Sequence, residues 1–139
     1  MAAGKIEFFM AMIPPTVTAQ EHKIVVRNGK PFLYDPPELL TARQKLTDYL
    51  AAHRPEIWLD GPLELTVTWC FPTEDARLDG TWKITKPDTD NLDKLLKDCM
   101  TKLHFWNDDA QVCREIIEKF WVKNSPPGIY VRVTQLWTQ

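Results

Sequence analysis

Residues 86–112 read KPDTDNLDKLLKDCMTKLHFWNDDAQV, and their apolar positions repeat with the period of a helix. The repeat predicts a helix over about residues 91–103 with one buried side, formed by Leu92, Leu95, Leu96, Cys99, Met100 and Leu103. The charged residues between them are assigned to the opposite side: Asp93, Lys94, Lys97, Asp98 and Lys102. Spacings of four residues predict the ion pairs Asp93–Lys97 and Asp98–Lys102 along the helix.

Strands are predicted on both sides of this segment. Residues 63–71 alternate apolar and polar side chains, which is typical of a half-buried strand. Asn28-Gly29 separates two apolar runs and predicts a hairpin over residues 23–34. Residues 112–122 fit a helix or a strand, but their β-branched and aromatic content favours a strand. Further strands are predicted at residues 6–13 and 129–136, and a polar loop at residues 72–87.

A second helix is predicted after the hairpin, because Asp35 before Pro36 forms a capped helix start. This helix ends before Pro55, and its predicted buried side consists of Leu39, Ala42, Leu46, Tyr49, Leu50 and His53. The order of elements predicts an α+β fold in a single domain over residues 1–139. Its two layers are a mostly antiparallel or mixed β-sheet and two main helices packed on one face.

Composition narrows the class of protein. The 139 residues, 44% of them hydrophobic, suffice for one core of ordinary size. No apolar run is long enough for a membrane span, and no convincing signal peptide is present. Three cysteines without C-x-x-C spacing predict reduced thiols in a cytoplasmic protein. The net charge of −2 is unlike a general DNA-coating protein, but a local basic face can coexist with an acidic site.

Two carboxylates, Asp88 and Asp90, precede the central helix. Asp90 stands where an N-cap belongs, and capping is the simplest explanation for it. One cap needs one side chain, however, and residues two apart in an extended lead-in point toward the same side. Two carboxylates without a nearby His or Cys suit a hard cation such as Mg²⁺ or Mn²⁺. An EF-hand loop is excluded, because Asp93 stands where Gly is needed and Cys99 where Glu is needed.

A third carboxylate, Asp109, follows the helix in Asn107-Asp108-Asp109, which by itself is also typical of a turn. A helix from residue 90 to 103 is about 20 Å long, and six extended residues span about 20 Å. Asp109 therefore meets Asp90 only if residues 104–109 run almost straight back. Otherwise the carboxylate that joins Asp88 and Asp90 comes from a second subunit, or the helix is shorter.

The pattern Asp88-x-Asp90-Asn91-x-x-Lys94, followed by a helix and Phe105-Trp106-x-Asp108-Asp109-Ala110-Gln111-Val112, closely resembles the RusA-like Holliday junction resolvases. The resemblance implies an α+β homodimer that cuts four-way DNA junctions symmetrically with Mg²⁺. It implies catalytic roles for Asp88, Asp90, Lys94 and Asp109. The three aspartates are the expected metal ligands, with Asp88 as a ligand or a water-orienting base, and Lys94 is expected to stabilise negative charge on the phosphate.

The chain departs from the family pattern at two places. Leu103-His104 stands where the family often ends its helix with Gly, and Thr18 stands where it often has Asn after the N-terminal Pro-Pro. The first bears on the turn after the helix, and the second on the DNA contacts of the N-terminal loop.

Two basic clusters are candidates for phosphate contact, although each is equally compatible with an ordinary solvated surface. One lies on the hairpin and the other before the acidic motif: Lys23, Arg27 and Lys30, then Arg77, Lys83 and Lys86. Phe105 and Trp106 are expected to pack in the core rather than to wedge a junction open. The principal hypothesis is a junction-cutting enzyme of bacterial or prophage origin. The alternatives are a junction-binding protein without catalysis and a general metal-dependent nuclease of branched or single-stranded DNA.

Overall fold

The main sheet contains four strands in the order β1-β6-β4-β5. The computed structural model describes residues 4–18 and 23–137. The elements along the chain are β1 Lys5–Ala11, β2 Lys23–Arg27, β3 Lys30–Tyr34, α1 Pro37–Ala51, β4 Leu63–Pro72, α2 Thr89–Lys102, β5 Val112–Val122 and β6 Gly128–Gln135. The strand assignment of residues 112–122 is thus confirmed. So is the α+β class, with a mixed sheet and two helices.

The pairing within the sheet is mixed because one connection crosses over. β6 pairs antiparallel with both β1 and β4, whereas β4 and β5 are parallel. Parallel neighbours need a long connection, and the segment between β4 and β5 carries α2. β2 and β3 form a separate two-stranded hairpin, in which Asn28 and Gly29 have φ of 53° and 76°, as a tight hairpin turn requires.

The core lies between one face of the sheet and the two helices. The alternation along β4 places one set of its side chains on this face, and the apolar stripe of α2 packs against it. The largest fully buried side chains include Trp69, Phe105, Trp106, Leu39, Leu46, Leu65, Leu92, Leu95 and Leu96. Phe105 and Trp106 are both 0% exposed, which confirms the expectation of core packing. The Trp106 indole N–H donates to Thr101 Oγ1 at 2.7 Å.

The start of α1 differs from the prediction. Pro36, not Asp35, occupies the N-cap, and its position has no side-chain cap. Asp35 instead accepts a hydrogen bond from Arg43 at 2.9 Å, so its carboxylate ties the helix entry to the second turn. Tyr49 is 40% exposed rather than buried. His53 lies beyond the helix and stacks on Phe8 at 4.2 Å.

The register of α2 corrects three further predictions. The helix begins at Thr89 with Asp88 at the N-cap, so Asp90 is inside the first turn. The Asp93–Lys97 ion pair is present at 3.4 Å, but Asp98 pairs with Lys94 at 3.7 Å instead of with Lys102. Asp93 is buried, only 6% exposed, and not on a solvated face.

α2 ends without the glycine that the family often has at this position. His104 adopts φ of +61°, the left-handed conformation that glycine usually supplies after a helix. Its imidazole stacks on Trp58 with ring centres 4.2 Å apart. The stack compensates part of the cost of a left-handed conformation in a residue with a Cβ.

Cys70, Cys99 and Cys113 are free thiols, as predicted. Within residues 4–18 and 23–137, no helix is both long and apolar enough to cross a lipid bilayer.

Candidate active site

Asp88 and Asp90, here called the acidic pair, lie exposed at the N-terminal end of α2. Asp88 has extended N-cap geometry, yet its side chain makes no capping hydrogen bond. Asp90 accepts only a local hydrogen bond from the Asn91 backbone N–H, at 3.0 Å. Capping therefore does not account for the two carboxylates. Adjacent exposed carboxylate oxygens are the donor set that suits Mg²⁺ or Mn²⁺, so the pair fits the metal that the family resemblance implies.

Two lysines hold the turn that leads into the acidic pair. Lys119 of β5 donates to the carbonyl oxygens of Thr85 at 2.7 Å and Pro87 at 2.8 Å. Lys83 donates to the carbonyl oxygen of Lys86 at 2.6 Å and also to Thr85. Charge-assisted hydrogen bonds are the stronger class of protein hydrogen bond. Three consecutive carbonyl groups are thereby fixed immediately before Asp88.

Lys83 is placed differently from the prediction of a phosphate contact. Its side chain is largely buried, with the ammonium 4.4 Å from the centre of the Trp121 ring and 5.1 Å from that of Phe71. Burial, together with the nearby charge of Lys119, lowers the pKa of Lys83. Because backbone carbonyls and aromatic faces surround its charge, Lys83 supports the turn from inside and does not present an ammonium to DNA.

Asp109 lies at the opposite end of α2. It begins a short 3₁₀ turn, Asp109–Gln111, that Asp108 and Gln111 close with a capping box. With Arg43, Asp98, Thr101 and Lys102, it lines a cleft of about 350 Å³. Two of these residues form the last turn of α2. The 14 residues of this helix separate its ends by about 20 Å.

The strand beneath α2 gives the same separation. Lys119, near the end of β5, contacts Pro87 beside the acidic pair, whereas Asp109 precedes Val112, where β5 begins. Seven residues of strand span about 23 Å. α2 and β5 therefore run in opposite directions. The acidic pair lies beside one end of both elements, and Asp109 lies beside their other end.

Residues 104–109 do not run back along the helix. The Phe105 N–H donates to the Met100 carbonyl oxygen at 3.1 Å, and the Leu59 N–H donates to the Phe105 carbonyl oxygen at 2.9 Å. These bonds hold the segment at the C-terminal end of α2. In the described part of the chain, no three His, Cys, Asp or Glu side chains come close enough to share a metal ion. One chain thus presents the acidic pair and Asp109 separately.

Lys94 lies one turn after Asp90 on the outer side of α2. Its side chain is 61% exposed and its ammonium is 3.7 Å from the Asp98 carboxylate. An exposed ion pair of this kind is weak, so the ammonium can exchange its partner for a phosphate. The role assigned to Lys94 stays a prediction.

An ionic cluster between α2 and β5 joins Asp93, Lys97 and Glu115, of which the sequence predicted only the Asp93–Lys97 pair. Lys97 Nζ lies 2.6 Å from Glu115 Oε1 and 3.4 Å from Asp93 Oδ2. Burial, and then the neighbouring Glu115, raises the pKa of Asp93 to about 7. Although burial opposes its charge, hydrogen bonds from Asp93 and Lys97 lower the pKa of Glu115. The sequence contained a signal for the burial of Asp93. Asp93 precedes Leu96 by three residues and therefore lies on the same side of the helix as this buried leucine.

The remaining basic candidates are exposed or lie outside the described side chains. Arg77 pairs with Asp75 at 2.9 Å while its side chain is 90% exposed. Arg27 and Lys30 are exposed at the hairpin tip. Lys86 is exposed beside the acidic pair. The side chain of Lys23 lies outside the described part of the structure. Phosphate contact by these residues stays a prediction.

Comparison with known proteins places this arrangement in a family. Residues 13–134 match the family model described as endodeoxyribonuclease RusA. The chain belongs to the RusA family. The match includes both ends of α2, and therefore the acidic pair, Lys94 and Asp109.

Two relatives extend the RusA comparison. A crossover junction endodeoxyribonuclease rusA of Lactococcus phage r1t is 33% identical over 110 residues, which cover 78% of this chain and 82% of the relative. The uncharacterized protein YqaN of Bacillus subtilis (strain 168) is 28% identical over 118 residues, which cover 77% of this chain and 82% of the relative.

Proposed function

We propose that this RusA-family protein is an endodeoxyribonuclease that resolves four-way (Holliday) DNA junctions by paired, symmetric nicks in the presence of Mg²⁺. The observation that carries the proposal is the acidic pair: two exposed carboxylates that capping does not use, set on a turn fixed by two lysines. Family membership and the similarity to a phage crossover junction endonuclease support the substrate class. A cytoplasmic place in bacterial or prophage DNA recombination and repair is part of the same proposal.

The side chains divide the work of phosphodiester hydrolysis. Asp88, Asp90 and Asp109 would hold the divalent cation, Mg²⁺ or Mn²⁺ in its place, and Asp88 would act either as a ligand or as the group that orients the attacking water. When bound, such a cation neutralises the phosphate, activates water and stabilises the leaving oxygen. Lys94 places its ammonium where negative charge develops on the phosphate. The lysine-held turn keeps the acidic pair oriented before substrate arrives, which lowers the cost of assembling the site.

The proposed working unit is a homodimer. A four-way junction has two-fold symmetry, and a two-fold dimer offers two matched sites for two matched cuts. The separation of the acidic pair from Asp109 by about 20 Å supports a site in which a second subunit supplies Asp109. The exposed basic residues Arg27, Lys30, Arg77 and Lys86 are proposed to contact the phosphate backbone, with Lys23 as a further candidate.

The decisive experiment incubates the protein with labelled four-way, flap, single-stranded and duplex DNA, in Mg²⁺ or in EDTA. Paired symmetric nicks confined to the four-way substrate are expected, and only with Mg²⁺. Cleavage of all branched or single-stranded substrates would indicate a general nuclease. Binding of four-way DNA without any cleavage would indicate a junction-binding protein.

The first prediction concerns Asp90→Asn. We expect loss of at least about 100-fold in cleavage rate, because a ligand that holds the cation in the transition state is removed. Junction affinity should be kept or should increase, since a charge that repels the phosphate is gone. The matched control is Asp48→Asn, an exposed carboxylate on α1. Parent-like cleavage by Asp90→Asn would overturn the assignment of the acidic pair.

A further inference from the structure

The cleft beside Asp109 lies between α1 and α2 and has a volume of about 350 Å³. Three of its residues belong to the end of α2, where spacings of three and four residues place Asp98, Thr101 and Lys102 on one side of the helix. Arg43 of α1 and Asp109 complete the described lining. The cleft therefore sets a proposed metal ligand beside two cationic side chains.

The exposed Lys102 ammonium has no hydrogen-bond or ion-pair partner in the described part of the chain. The carboxylate one turn earlier, Asp98, pairs with Lys94 at 3.7 Å instead. Lys102 is also not needed to close the helix, because three of the last carbonyl oxygens of α2 accept backbone N–H groups from residues 103–105 at 3.0–3.1 Å. Its three N–H donors are therefore available to a ligand in the cleft.

Arg43 supplies further donors from a position that is already fixed. Its guanidinium gives one N–H to Asp35 at 2.9 Å, and no other described residue accepts from it. The Arg43 carbonyl oxygen accepts from Thr47 Oγ1 at 2.8 Å and from the Cys99 thiol at 3.8 Å, which ties this turn of α1 to α2. A ligand in the cleft would thus meet a guanidinium whose backbone is held in place.

The Thr101 hydroxyl group is oriented by a buried partner. Its oxygen accepts from the Trp106 indole N–H at 2.7 Å, and Trp106 is 0% exposed. A hydroxyl group that accepts one hydrogen bond keeps its own proton to donate, and within the described ranges no residue accepts that proton. Thr101 therefore adds a neutral donor beside the two cations.

The two carboxylates of the cleft do not cancel this charge. Asp98 is offset by Lys94, and Arg43 shares its charge with Asp35. Asp109 is the proposed metal ligand, so a divalent cation would offset its charge. The Lys102 ammonium is then a positive charge that no described carboxylate balances.

On the basis of the proposed function, we infer that this cleft binds a phosphate of the DNA backbone close to the cut, through Lys102, Arg43 and the Thr101 hydroxyl group. Ammonium, guanidinium and hydroxyl groups are the side-chain donors that contact DNA phosphates. None of the described lining residues is aromatic, so the cleft offers no ring on which a base could stack. The contact positions the strand without reading its sequence.

Uncharged phosphates in the DNA test this contact without reference to cleavage. Four-way junctions are made with a single neutral methylphosphonate at each position around the branch point, and their affinity is measured with the Asp90→Asn protein, so that the DNA stays intact. At one position the neutral group should weaken binding by about fivefold. With Lys102→Met added, the same position should have almost no effect, because the charge that faced the phosphate is already gone. Equal effects on both proteins at every position would overturn the inference.

Two further variants separate a phosphate contact from support of the helix end. Lys102→Met should lower the slope of log affinity against log salt by about one, whereas Lys102→Arg keeps the charge and should keep the parent's slope. The matched control is Lys45→Met, an exposed lysine of α1 that does not line the cleft, and its slope should equal the parent's. Lower thermal stability of Lys102→Met with an unchanged slope would assign Lys102 to the helix end alone and refute the contact.

The outcomes distinguish this cleft from the proposed function. If the parent protein binds four-way DNA with the contact that depends on Lys102 but cuts no junction in Mg²⁺, the proposed function fails while the phosphate site stands. If the parent cuts junctions and Lys102→Met matches it in affinity, salt slope and sensitivity to neutral phosphates, the phosphate site fails while the function stands.

Discussion

At the residue scale, the sequence showed the acidic residues of the candidate site but not the side chains that surround them. Asp-x-Asp before a helix, with no His or Cys nearby, is a pattern of residue types, and residue types are visible in a sequence. The N-cap is a matter of backbone geometry, which is why it was assigned to Asp90 and occurs at Asp88. The burial of Lys83 was hidden for a related reason, since its partners Phe71 and Trp121 come from two strands distant in sequence.

Asp93 carries a pH-dependent prediction at the same scale. Its pKa is raised to about 7, so the folded protein binds a proton more tightly than the unfolded chain. Its contribution to stability is therefore full below the ordinary carboxyl value of 3.8 and is lost progressively as the pH rises from there to about 7. Asp93→Asn, which resembles the protonated side chain, should leave stability nearly unchanged at about pH 3 and raise it by roughly 2–4 kcal/mol at about pH 8.

Chemical denaturation at both pH values measures this effect. Asp98→Asn, which removes a partly exposed carboxylate from the same helix, is the control. Equal stabilisation of Asp93→Asn at both pH values, or a loss of stability at pH 8, would show that the Asp93 carboxyl is ionised at little cost beside Lys97.

At the element scale, α2 and β5 act as one support for the acidic pair. The strand presents Glu115 to Lys97 and Lys119 to the turn before Asp88. Periodicity predicted α2 with errors of one or two residues at its ends, whereas residues 112–122 fitted a helix or a strand, and β-branched and aromatic content favoured the strand. Both are local signals. The parallel pairing of β5 with β4 was not predictable from periodicity, because it depends on contacts between segments about 50 residues apart.

Lys119→Met tests this support. Removal of the ammonium frees the carbonyl oxygens of Thr85 and Pro87, so amide hydrogen exchange over residues 85–91 should accelerate by about tenfold, as expected for loss of charge-assisted hydrogen bonds. The Mg²⁺ concentration for half-maximal cleavage should rise, with junction affinity little changed. The control is Lys123→Met, an exposed lysine just after β5. Unchanged exchange in Lys119→Met would show that the turn holds its shape without this lysine.

At the scale of the whole molecule, the sequence predicted the layers but left the assembly of the site open. Helix length and linker length admitted three arrangements: a straight return of residues 104–109, a shorter helix, or a second subunit. The helix is not shorter, because α2 has 14 residues. The structure excludes the return, because Phe105 and Trp106 are anchored in the core at the far end of α2. No local pattern could have decided this, since it depends on where the core accepts two large aromatic side chains.

Salt dependence tests the basic surface of the whole protein. Junction affinity should fall steeply with salt, since each phosphate contact releases counterions. Lys86→Ala should reduce the slope of log affinity against log salt by about one, whereas Lys5→Ala on β1 should not change it. Titrations between low and moderate salt measure both slopes. Equal slopes for the parent and Lys86→Ala would remove Lys86 from the DNA surface.

The length of α2 has a consequence for how the protein behaves in a cell. If the acidic pair and Asp109 work only together, a newly made chain is harmless to the chromosome until it meets another. When protein is dilute, activity then grows with the square of its amount, so a modest change in expression becomes a large change in cutting. The 14-residue length of α2 would in this way keep DNA cutting low until enough protein is present.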